Sequence, residues 1–227
     1  MGKSYIKFAV PITVVVAALL VIFVISNNKP ATGKEIVNEN AKEIGIDLTG
    51  QPLFGHVDAP ITIVEFGDFK CPPCKYWGET IYPKLVEDYI SNGNVKFSYV
   101  NVLFHGRESL VGAIAAESVY QQSPDVYWSF HKALYDAQPK DEGQWITIDK
   151  LLQLAKEFSS IDQEQLKQDI EQEVTKDKVR IDGDLVTKHN ITVTPTIIIN
   201  DTIMVDPFDY EAIKEAIDQK LEDKINE

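Results

Sequence analysis

The sequence predicts an α/β fold in which a β-α-β unit is followed by a long helical block and then by a β-β-α unit. Three observations support this order. A β-branched run, Ile61–Phe66, leads into a Cys-Pro-Pro-Cys motif. Apolar residues then recur at helical spacing between about residues 105 and 190. A second β-branched run, Thr194–Ile199, follows that stretch. Together they predict one sheet that is interrupted by a helical insertion.

The first β-α-β unit is well marked. Ile61–Phe66 reads as a buried strand, and Val95–Val100 alternates as a second strand. The helix between them begins at Cys71 and is expected to kink or break at Pro83. Because a helix connects the two strands, they are expected to be parallel with a right-handed connection. The buried face of this helix is predicted to carry Trp77, Ile81, Leu85 and Tyr89.

Several helices are expected after the second strand. Thr147 is a good N-cap, and Asp162-x-x-Gln165 resembles a capping box. The other predicted helices contain Leu110–Ala115, Tyr127–Leu134 and Lys176–His189. The chain then returns to a strand at Thr194–Ile199, a hairpin through Ile203–Val205 and a last helix carrying Tyr210 to Leu221.

Composition limits the class of protein. The chain has 227 residues, which suggests one domain with appendages. With 22 basic and 35 acidic residues the formal charge is −13, which argues against nucleic-acid binding because phosphate would be repelled. The two cysteines, Cys71 and Cys74, are too few for a disulfide-rich scaffold or a four-cysteine zinc site.

The N-terminal region predicts a membrane anchor. Residues 8–25 carry no charge, and 18 residues of helix span about 27 Å, close to one hydrocarbon core. Lys3 and Lys7 favour a cytoplasmic N-terminus, so a single-pass protein with its main domain outside the cytoplasm is expected. A cleaved signal peptide and a buried core helix are the alternatives. The predicted segments are a cytoplasmic N-terminus (1–7), an anchor (8–25), a tether (26–51) and a folded domain (52–227).

The cysteine pair carries the predicted chemistry. Cys71 stands where a strand gives way to a helix, and the helix N-terminus stabilises a thiolate there. Cys74 lies one turn later, so it is expected to be less exposed and to resolve a mixed disulfide formed at Cys71. Pro72 and Pro73 lack N–H donors, so the pKa of Cys71 is expected to fall only moderately.

Two further positions are candidates. Glu65 precedes Cys71 by six residues and alternates with Ile61 and Ile63 on one strand face. This spacing predicts a buried carboxyl with a raised pKa that takes the proton from Cys74, whereas the alternative is an outward residue at a sheet edge. Pro195 suits an edge or a cis turn, and a cis bond would leave the backbone of Thr194 free to pair with an extended substrate.

Interpretations of these residues other than redox chemistry are less well supported. A structural CxxC disulfide closes too short a loop to stabilise much, and a zinc half-site needs two more ligands. None of the four histidines shows ligand spacing. His131 and Trp128 are expected to pack in the core or a groove rather than to act in catalysis.

The motifs together resemble a known family. The run from Glu65 to Cys74 (EFGDFKCPPC), a helical insertion and Thr194-Pro195-Thr196 resemble the thioredoxin superfamily, and the large insertion is similar to its DsbA-like branch. The anchor, the VNVLFHG segment and TPTIIIN are similar to the exported Gram-positive disulfide-bond proteins of the BdbD type. The resemblance implies a thioredoxin fold with an insertion at about residues 105–190.

The resemblance also implies roles for individual residues. Cys71 would be the nucleophile, Cys74 the resolving thiol and Glu65 the acid near it. Pro195 would be the cis-proline, with Thr194, Pro72 and Pro73 facing the substrate. Some Gram-positive members hold a structural Ca²⁺ ion, and Glu117 and Asp182 with the Gln51 carbonyl fall at the matching positions.

An activity follows from the same resemblance. It implies a membrane-anchored thiol:disulfide oxidoreductase that introduces disulfides into exported, unfolded proteins with free thiols. The redox-active disulfide Cys71–Cys74 would be the only group required for exchange, and a quinone-linked, DsbB-like membrane oxidase would restore it. The protein is expected to be a monomer.

One departure keeps the direction of electron flow open. Strongly oxidising DsbA proteins have Pro-His between the cysteines, whereas this chain has Pro72-Pro73. A reductase or isomerase of the same fold is therefore one alternative. A non-catalytic envelope scaffold with a structural Cys71–Cys74 disulfide is another.

Overall fold

The structure is a computed structural model that describes residues 45–140 and 143–226. Its strands are β1 (Leu53–Gly55), β2 (Ile61–Gly67), β3 (Val95–Asn101), β4 (Thr196–Ile199) and β5 (Thr202–Ile203). Its helices are α1 (Pro72–Thr80), α2 (Tyr82–Leu85), α3 (Arg107–Gln122), α4 (Tyr127–Asp136), α5 (Ile148–Ala155), α6 (Gln163–Glu171), α7 (Lys176–Lys188) and α8 (Tyr210–Ile225). The order matches the predicted β-α-β, helical block and β-β-α.

The strands form one mixed sheet in the order β1-β3-β2-β4-β5. β2 and β3 are parallel, as predicted, and the other neighbouring pairs are antiparallel. β2 is the central strand, and all its residues except the half-buried Thr62 are buried. Its carboxyl end leads directly to the cysteine motif, so a buried central strand supports the site.

The two faces of β2 pack against different helices. Ile61 and Ile63 lie in a core cluster with Trp77 of α1 and with Ile213 and Ile217 of α8. The opposite face packs against α7 and the segment after it through a cluster that contains Val64, Phe66, Leu185 and Ile191. The alternation of side chains along a strand therefore divides the core into two layers.

The first helix is interrupted where the sequence predicted. α1 ends at Thr80, α2 starts at Tyr82 with Pro83 in its first turn, and a π-helical turn, Val86–Ile90, follows. Proline lacks an N–H and clashes with the preceding turn, so the helix cannot continue unbroken.

The helical insertion comprises α3 to α7. Thr147 caps α5 by accepting a hydrogen bond from the Lys150 N–H at 3.2 Å, as expected. Asp162 caps α6 in the same way, but only half of the predicted capping box forms. The Gln165 side chain donates to Asp169 instead of to the backbone of Asp162, because a buried carboxylate lies within reach.

Three details differ from the sequence expectations. β1 was not predicted, because a three-residue strand after Gln51-Pro52 shows no alternation. The hairpin strand β5 covers Thr202–Ile203 rather than Ile203–Val205. Thr194–Pro195 is a cis peptide bond, but β4 is an inner strand and not an edge.

The predicted anchor, residues 8–25, lies outside the described residues, as do residues 1–7 and most of the tether. Within the described ranges, no helix combines the length and apolar character that a membrane crossing requires. Ile46 and Leu48, in the last part of the predicted tether, pack against the cluster around Val64.

Candidate active site

Cys71 and Cys74 lie at the start of α1, as predicted. Cys71 is the N-cap residue with extended backbone angles (φ −80°, ψ 115°), and Pro72 and Pro73 fill the first helical positions. Both thiols are free in this structure. Cys71 is 3% exposed and Cys74 is fully buried, so the predicted order of exposure is confirmed.

The two thiols have opposite acidities. The pKa of Cys71 falls to about 6, chiefly because the Cys74 thiol donates a hydrogen bond to its sulfur, while burial opposes this decrease. A hydrogen bond with the Thr194 side chain and one from the Cys74 N–H lower the pKa of Cys71 further. Burial and the hydrogen bond to Cys71 raise the pKa of Cys74 well above its ordinary value. One thiol is therefore poised as a thiolate and the other is held protonated.

The cis-proline segment lies against the nucleophile candidate. The Cys71 Sγ is 3.4 Å from the carbonyl oxygen of Thr194. Val193, the preceding residue, is 64% exposed and Thr194 is half-buried, so this segment reaches the surface beside the sulfur. The structure thus brings together two segments that are 123 residues apart in sequence.

Glu65 is buried beneath the motif, as predicted, with 2% exposure. It is aligned in the sheet with Tyr99 of β3 and Ile197 of β4. Its Oε1 atom is buried and has no hydrogen-bond partner in the described chain. Burial raises its pKa well above the ordinary value, and the charge on Cys71 adds to this effect. The edge-facing alternative for Glu65 is wrong.

Asp68 is a residue that the sequence analysis did not identify. Its buried carboxylate accepts hydrogen bonds from the backbone N–H groups of Lys70, Phe104 and His105. It also accepts from the Ser109 hydroxyl, and its Oδ2 is 2.8 Å from Nδ1 of His105. These bonds fix the loop before Cys71 to the start of the insertion. Only the hydrogen bond from Lys70 is local, so no pattern along the chain predicts the others.

A groove of about 570 Å³ runs beside the motif. Pro72 and Tyr76 line one side, and Gln138 and Trp145 from the insertion line another. The insertion therefore shapes this groove. Pro73 is exposed next to it. A salt bridge between Lys70 and Glu108, and hydrogen bonds from the Trp145 and Ile146 N–H groups to Glu108, hold this wall in place.

Gln51, Glu117 and Asp182 of the predicted cation site lie together in a second buried cluster, which Gln51 joins through its side-chain amide, while its backbone carbonyl accepts a hydrogen bond from the Tyr120 hydroxyl at 3.4 Å. Asp182 accepts hydrogen bonds from the side-chain amides of Gln51 and Asn101, both at 2.7 Å, and Asn101 also donates to Glu117 at 3.1 Å. Burial raises the pKa of Glu117 to about 8 and that of Asp182 to about 6, and the charge of Asp182 adds to the effect on Glu117.

The donor atoms of this cluster suit a hard cation. Gln51 Oε1 and Asn101 Oδ1 are buried without partners, next to two carboxylates. Such all-oxygen sets are what Ca²⁺ prefers. The described residues contain no group of three or more His, Cys, Asp or Glu placed to hold a metal, so amide or carbonyl oxygens would have to complete the shell.

His131 and Trp128 serve as packing residues, as expected. The His131 ring lies 4.5 Å from the Tyr99 ring and 5.3 Å from the Phe69 ring, measured between centroids. Burial lowers its pKa to about 3, so the imidazole is neutral. Trp128 packs on Phe97 and donates its indole N–H to the Leu53 carbonyl.

Comparisons with known proteins agree with this geometry. The sequence model of the thioredoxin family matches residues 47–219. Disulfide bond formation protein D of Bacillus subtilis is 44% identical over 198 residues, covering 87% of each chain. Probable disulfide bond formation protein D of Bacillus anthracis is 36% identical and covers 95% of this chain and 94% of its own.

Solved structures show the same fold. Oxidised BdbD from Bacillus subtilis matches with a TM-score of 0.76 and 45% identity, over 78% of this chain and 95% of that one. DsbA of Chlamydia trachomatis matches with a TM-score of 0.67 at 21% identity, over 74% of this chain and 90% of its own, which shows the fold alone. The chain therefore belongs to the thioredoxin superfamily, and within it to the DsbA-like thiol:disulfide oxidoreductases of the BdbD type.

Proposed function

We propose that this enzyme introduces disulfide bonds into exported proteins that carry free thiols, by exchange through Cys71 and Cys74. The observation that carries the proposal is the placement of the two sulfurs. Cys71 caps α1 beside the half-buried Thr194, and the protonated Cys74 lies next to it. Thiol–disulfide exchange needs only these two sulfurs, so it requires no cofactor.

The reaction begins with the oxidised pair. A substrate thiolate attacks Cys71 Sγ, the Cys71–Cys74 bond breaks, and Cys74 leaves as a thiolate. Glu65, whose raised pKa favours the protonated carboxyl, gives its proton to this thiolate. A second substrate thiolate then attacks the substrate sulfur of the mixed disulfide. The substrate disulfide forms, Cys71 leaves as a thiolate, and the enzyme has gained two electrons.

The substrate segment lies in extended form across the mouth of the site. The backbone of Thr194, held by the cis bond to Pro195, pairs with it, while Pro72 and Pro73 present a surface without competing N–H donors. The groove beside Tyr76 accepts the residues that flank the reacting cysteine. In this binding mode the enzyme recognises the main chain of the substrate more than its side chains. Such recognition suits an enzyme that acts on many unfolded proteins.

The low pKa of Cys71 favours the oxidising direction. A stabilised thiolate stabilises the reduced enzyme, and a stabilised reduced form makes the disulfide a stronger oxidant. The names of the Bacillus relatives point the same way. The enzyme then needs reoxidation, for which a quinone-linked, DsbB-like membrane oxidase is the proposed partner.

The proposed location is the outer face of the cell membrane. Residues 8–25 would form a single-pass anchor, with residues 1–7 in the cytoplasm and residues 26–51 as the tether. The catalytic domain, residues 52–227, would act as a monomer outside the cytoplasm, where oxidising conditions maintain the disulfide.

A structural calcium ion is part of the proposal. Glu117, Asp182 and the Gln51 carbonyl oxygen would hold it, at the junction of α3, α7 and the segment before β1. When bound, the ion would neutralise two buried carboxylates. It takes no part in the exchange.

The reduction potential tests the proposed direction. The full-length chain in detergent is equilibrated in glutathione buffers, and the redox state is read by thiol alkylation and by the fluorescence of Trp77, which is buried three residues after Cys74. A potential near about −120 mV, typical of DsbA, is expected. A potential near about −270 mV would indicate a reductase, and a disulfide that resists reduction far below that would indicate a structural role.

A further inference from the structure

Tyr99 lies beside the buried acid of the site. It is the register partner of Glu65 in the parallel pair of β2 and β3, so the two side chains project from the same face of the sheet. Its ring extends over Gly67, two residues beyond Glu65 on that face. A Cβ at Gly67 would lie 2.5 Å from Tyr99 Cε2 and 2.9 Å from its hydroxyl oxygen. Only glycine leaves room for this ring position.

The Tyr99 hydroxyl is held by a second buried hydroxyl. Tyr99 Oη and Tyr135 Oη are 2.8 Å apart, at 0% and 6% exposure of their residues. Phe69 packs against both rings, with centroid distances of 5.3 Å and 5.2 Å. Two hydroxyls carry two protons, and the bond between them uses one. The other O–H has no acceptor among the contacts of the described chain.

The acid next to this pair lacks a donor. Glu65 Oε1 is buried without a partner, whereas an ionised carboxylate in such a site needs hydrogen bonds. During exchange one negative charge is left in this pocket, on Cys74 or on Glu65. An unused buried donor and an unmatched buried anion therefore occupy the same face of the sheet.

The titratable groups around this pocket come from every element packed on it. They are Glu65 of β2, Asp68 after it, Cys71 and Cys74 at the start of α1, Tyr82 of α2, Tyr99 of β3, and Tyr127, His131 and Tyr135 of α4. His131 is neutral, and none of these groups supplies a positive charge at neutral pH. The donors around this pocket are therefore neutral ones, such as the tyrosine hydroxyls and the single N–H of the His131 ring, and among them the Tyr99 hydroxyl belongs to the register partner of Glu65.

We propose that Tyr99 is a positioning residue of the redox site: its hydroxyl, held by Tyr135, donates a hydrogen bond, directly or through one bound water, to the negative charge that Glu65 and Cys74 share during exchange. The inference rests on the proposed exchange through Cys71 and Cys74. In this proposal the Tyr99 hydroxyl donates its hydrogen bond only after the proton has left Cys74 or Glu65. It therefore stabilises the charged state and does not stabilise the protonated thiol.

The test follows the step in which Cys74 acts. The reduced full-length enzyme is mixed with a chromogenic aromatic disulfide. The Cys71 thiolate attacks one sulfur and releases the first coloured thiolate. Glu65 then takes the proton of Cys74, and the Cys74 thiolate attacks Cys71 Sγ, which forms the Cys71–Cys74 disulfide and releases the second coloured thiolate. The rate of the second release against pH gives the apparent pKa of the Glu65–Cys74 pair.

Tyr99→Phe is expected to raise this apparent pKa by about one pH unit, because a hydrogen bond to a charged group is lost. Below the inflection, the second release slows about tenfold, while the first release changes little. Tyr135→Phe is expected to give a smaller rise in the same direction. Tyr127→Phe is the matched control, since its hydroxyl is equally buried but has no partner; it should leave the inflection unchanged.

The outcomes separate the two proposals. An unchanged inflection in folded Tyr99→Phe, or an equal rise in Tyr127→Phe, would overturn the role of Tyr99. If Tyr99→Phe does not fold, Tyr135→Phe decides alone, and no rise there overturns the inference. A wild-type enzyme that shows no second release would instead refute the role of Cys74 in the proposed function.

Discussion

Glu65 at the redox site and Asp182 in the second cluster are both buried carboxyl groups, but their surroundings differ. At the redox site Glu65 stands alone, with a buried oxygen that has no partner. In the second cluster Asp182 accepts hydrogen bonds from the side chains of Gln51 and Asn101 and from the Asn101 N–H at 3.2 Å. Burial raises the pKa in both places, but hydrogen bonds oppose this effect only in the second cluster, at Asp182 and at Glu117.

The difference separates reactivity from structure. A buried acid without hydrogen-bond partners favours its protonated form, because nothing stabilises its charge. Its raised pKa allows it to give and to take a proton during the reaction. A buried acid with several donors is fixed in place and can join distant segments. Gln51, Asn101 and Asp182 belong to three segments of the chain, and the cluster connects them.

The strongest test of this difference is to replace Glu65 by a residue that cannot transfer a proton. Glu65→Gln is expected to slow the second coloured release by about 100-fold, because general acid–base catalysis contributes about 10²–10⁴-fold. The first release, which depends on Cys71, should change by less than about threefold. Asp169→Asn, at another buried acid, is the control and should alter neither phase. A second phase that is as fast in Glu65→Gln as in wild type would contradict the role.

Calcium should act on the other region alone. At a concentration about 100-fold above its Kd, bound Ca²⁺ is expected to stabilise the fold by about 3 kcal/mol. For a domain of this size, that corresponds to a rise in Tm of roughly 5–10 °C over a sample with chelator. Glu117→Gln should lose most of this response, whereas Asp169→Asn should keep it. An equal Tm for wild type with calcium and with chelator would mean that the cluster is held by its amides without an ion.

The smallest expected effect, and the most specific one, is a shift in the pH at which the Cys71 thiol ionises. Its alkylation rate in the reduced enzyme should reach half-maximum near pH 6. Cys74→Ala should raise this midpoint by about one pH unit, because the main hydrogen bond to the thiolate is lost. Cys74→Ser keeps a hydroxyl donor and should hold the midpoint near 6. Equal midpoints for the alanine and serine variants would show that the bond is not the cause.

The same thiol makes the stability of the reduced form depend on pH. The folded pKa of about 6 lies below the ordinary cysteine pKa of 9.0, so the thiolate contributes stability that is fully present above about pH 9. This contribution is lost as the pH falls through 6. Reduced wild type should therefore lose more stability between these pH values than reduced Cys71→Ser, as measured by denaturant unfolding.

Local patterns were enough to predict the parts of the site that follow one another in the chain. The alternation of Ile61, Ile63 and Glu65 predicted a buried acid, and the strand-to-helix change at Cys71 predicted an N-terminal thiol. Pro83 predicted the break between α1 and α2. In each case the physical cause, a periodicity or a missing N–H, lies within a few residues.

Contacts between distant segments could not be predicted in this way. The Asp68 carboxylate is completed by Phe104, His105 and Ser109, and Tyr99 meets Tyr135 across 36 residues. β1 was missed because its three residues acquire strand geometry only by pairing with β3. The partners of Asp182 also come from segments far apart in sequence. The resemblance to relatives named those positions, but not the amides that bind them.

The attachment points of the helical insertion have a consequence for how this family can diversify. The insertion leaves the sheet after Asn101 and returns at Thr196, which are the neighbours of Gly67 and Phe66 at the end of the central strand. A different insertion at the same two points would start and end beside the cysteine motif. It would change the wall of the groove and leave the sheet intact. Such an exchange would also remove Tyr135, Glu117 and Asp182 together. Three properties therefore depend on the insertion and would change together if it were replaced. They are the shape of the groove, the proposed support of Glu65 and the proposed ion site.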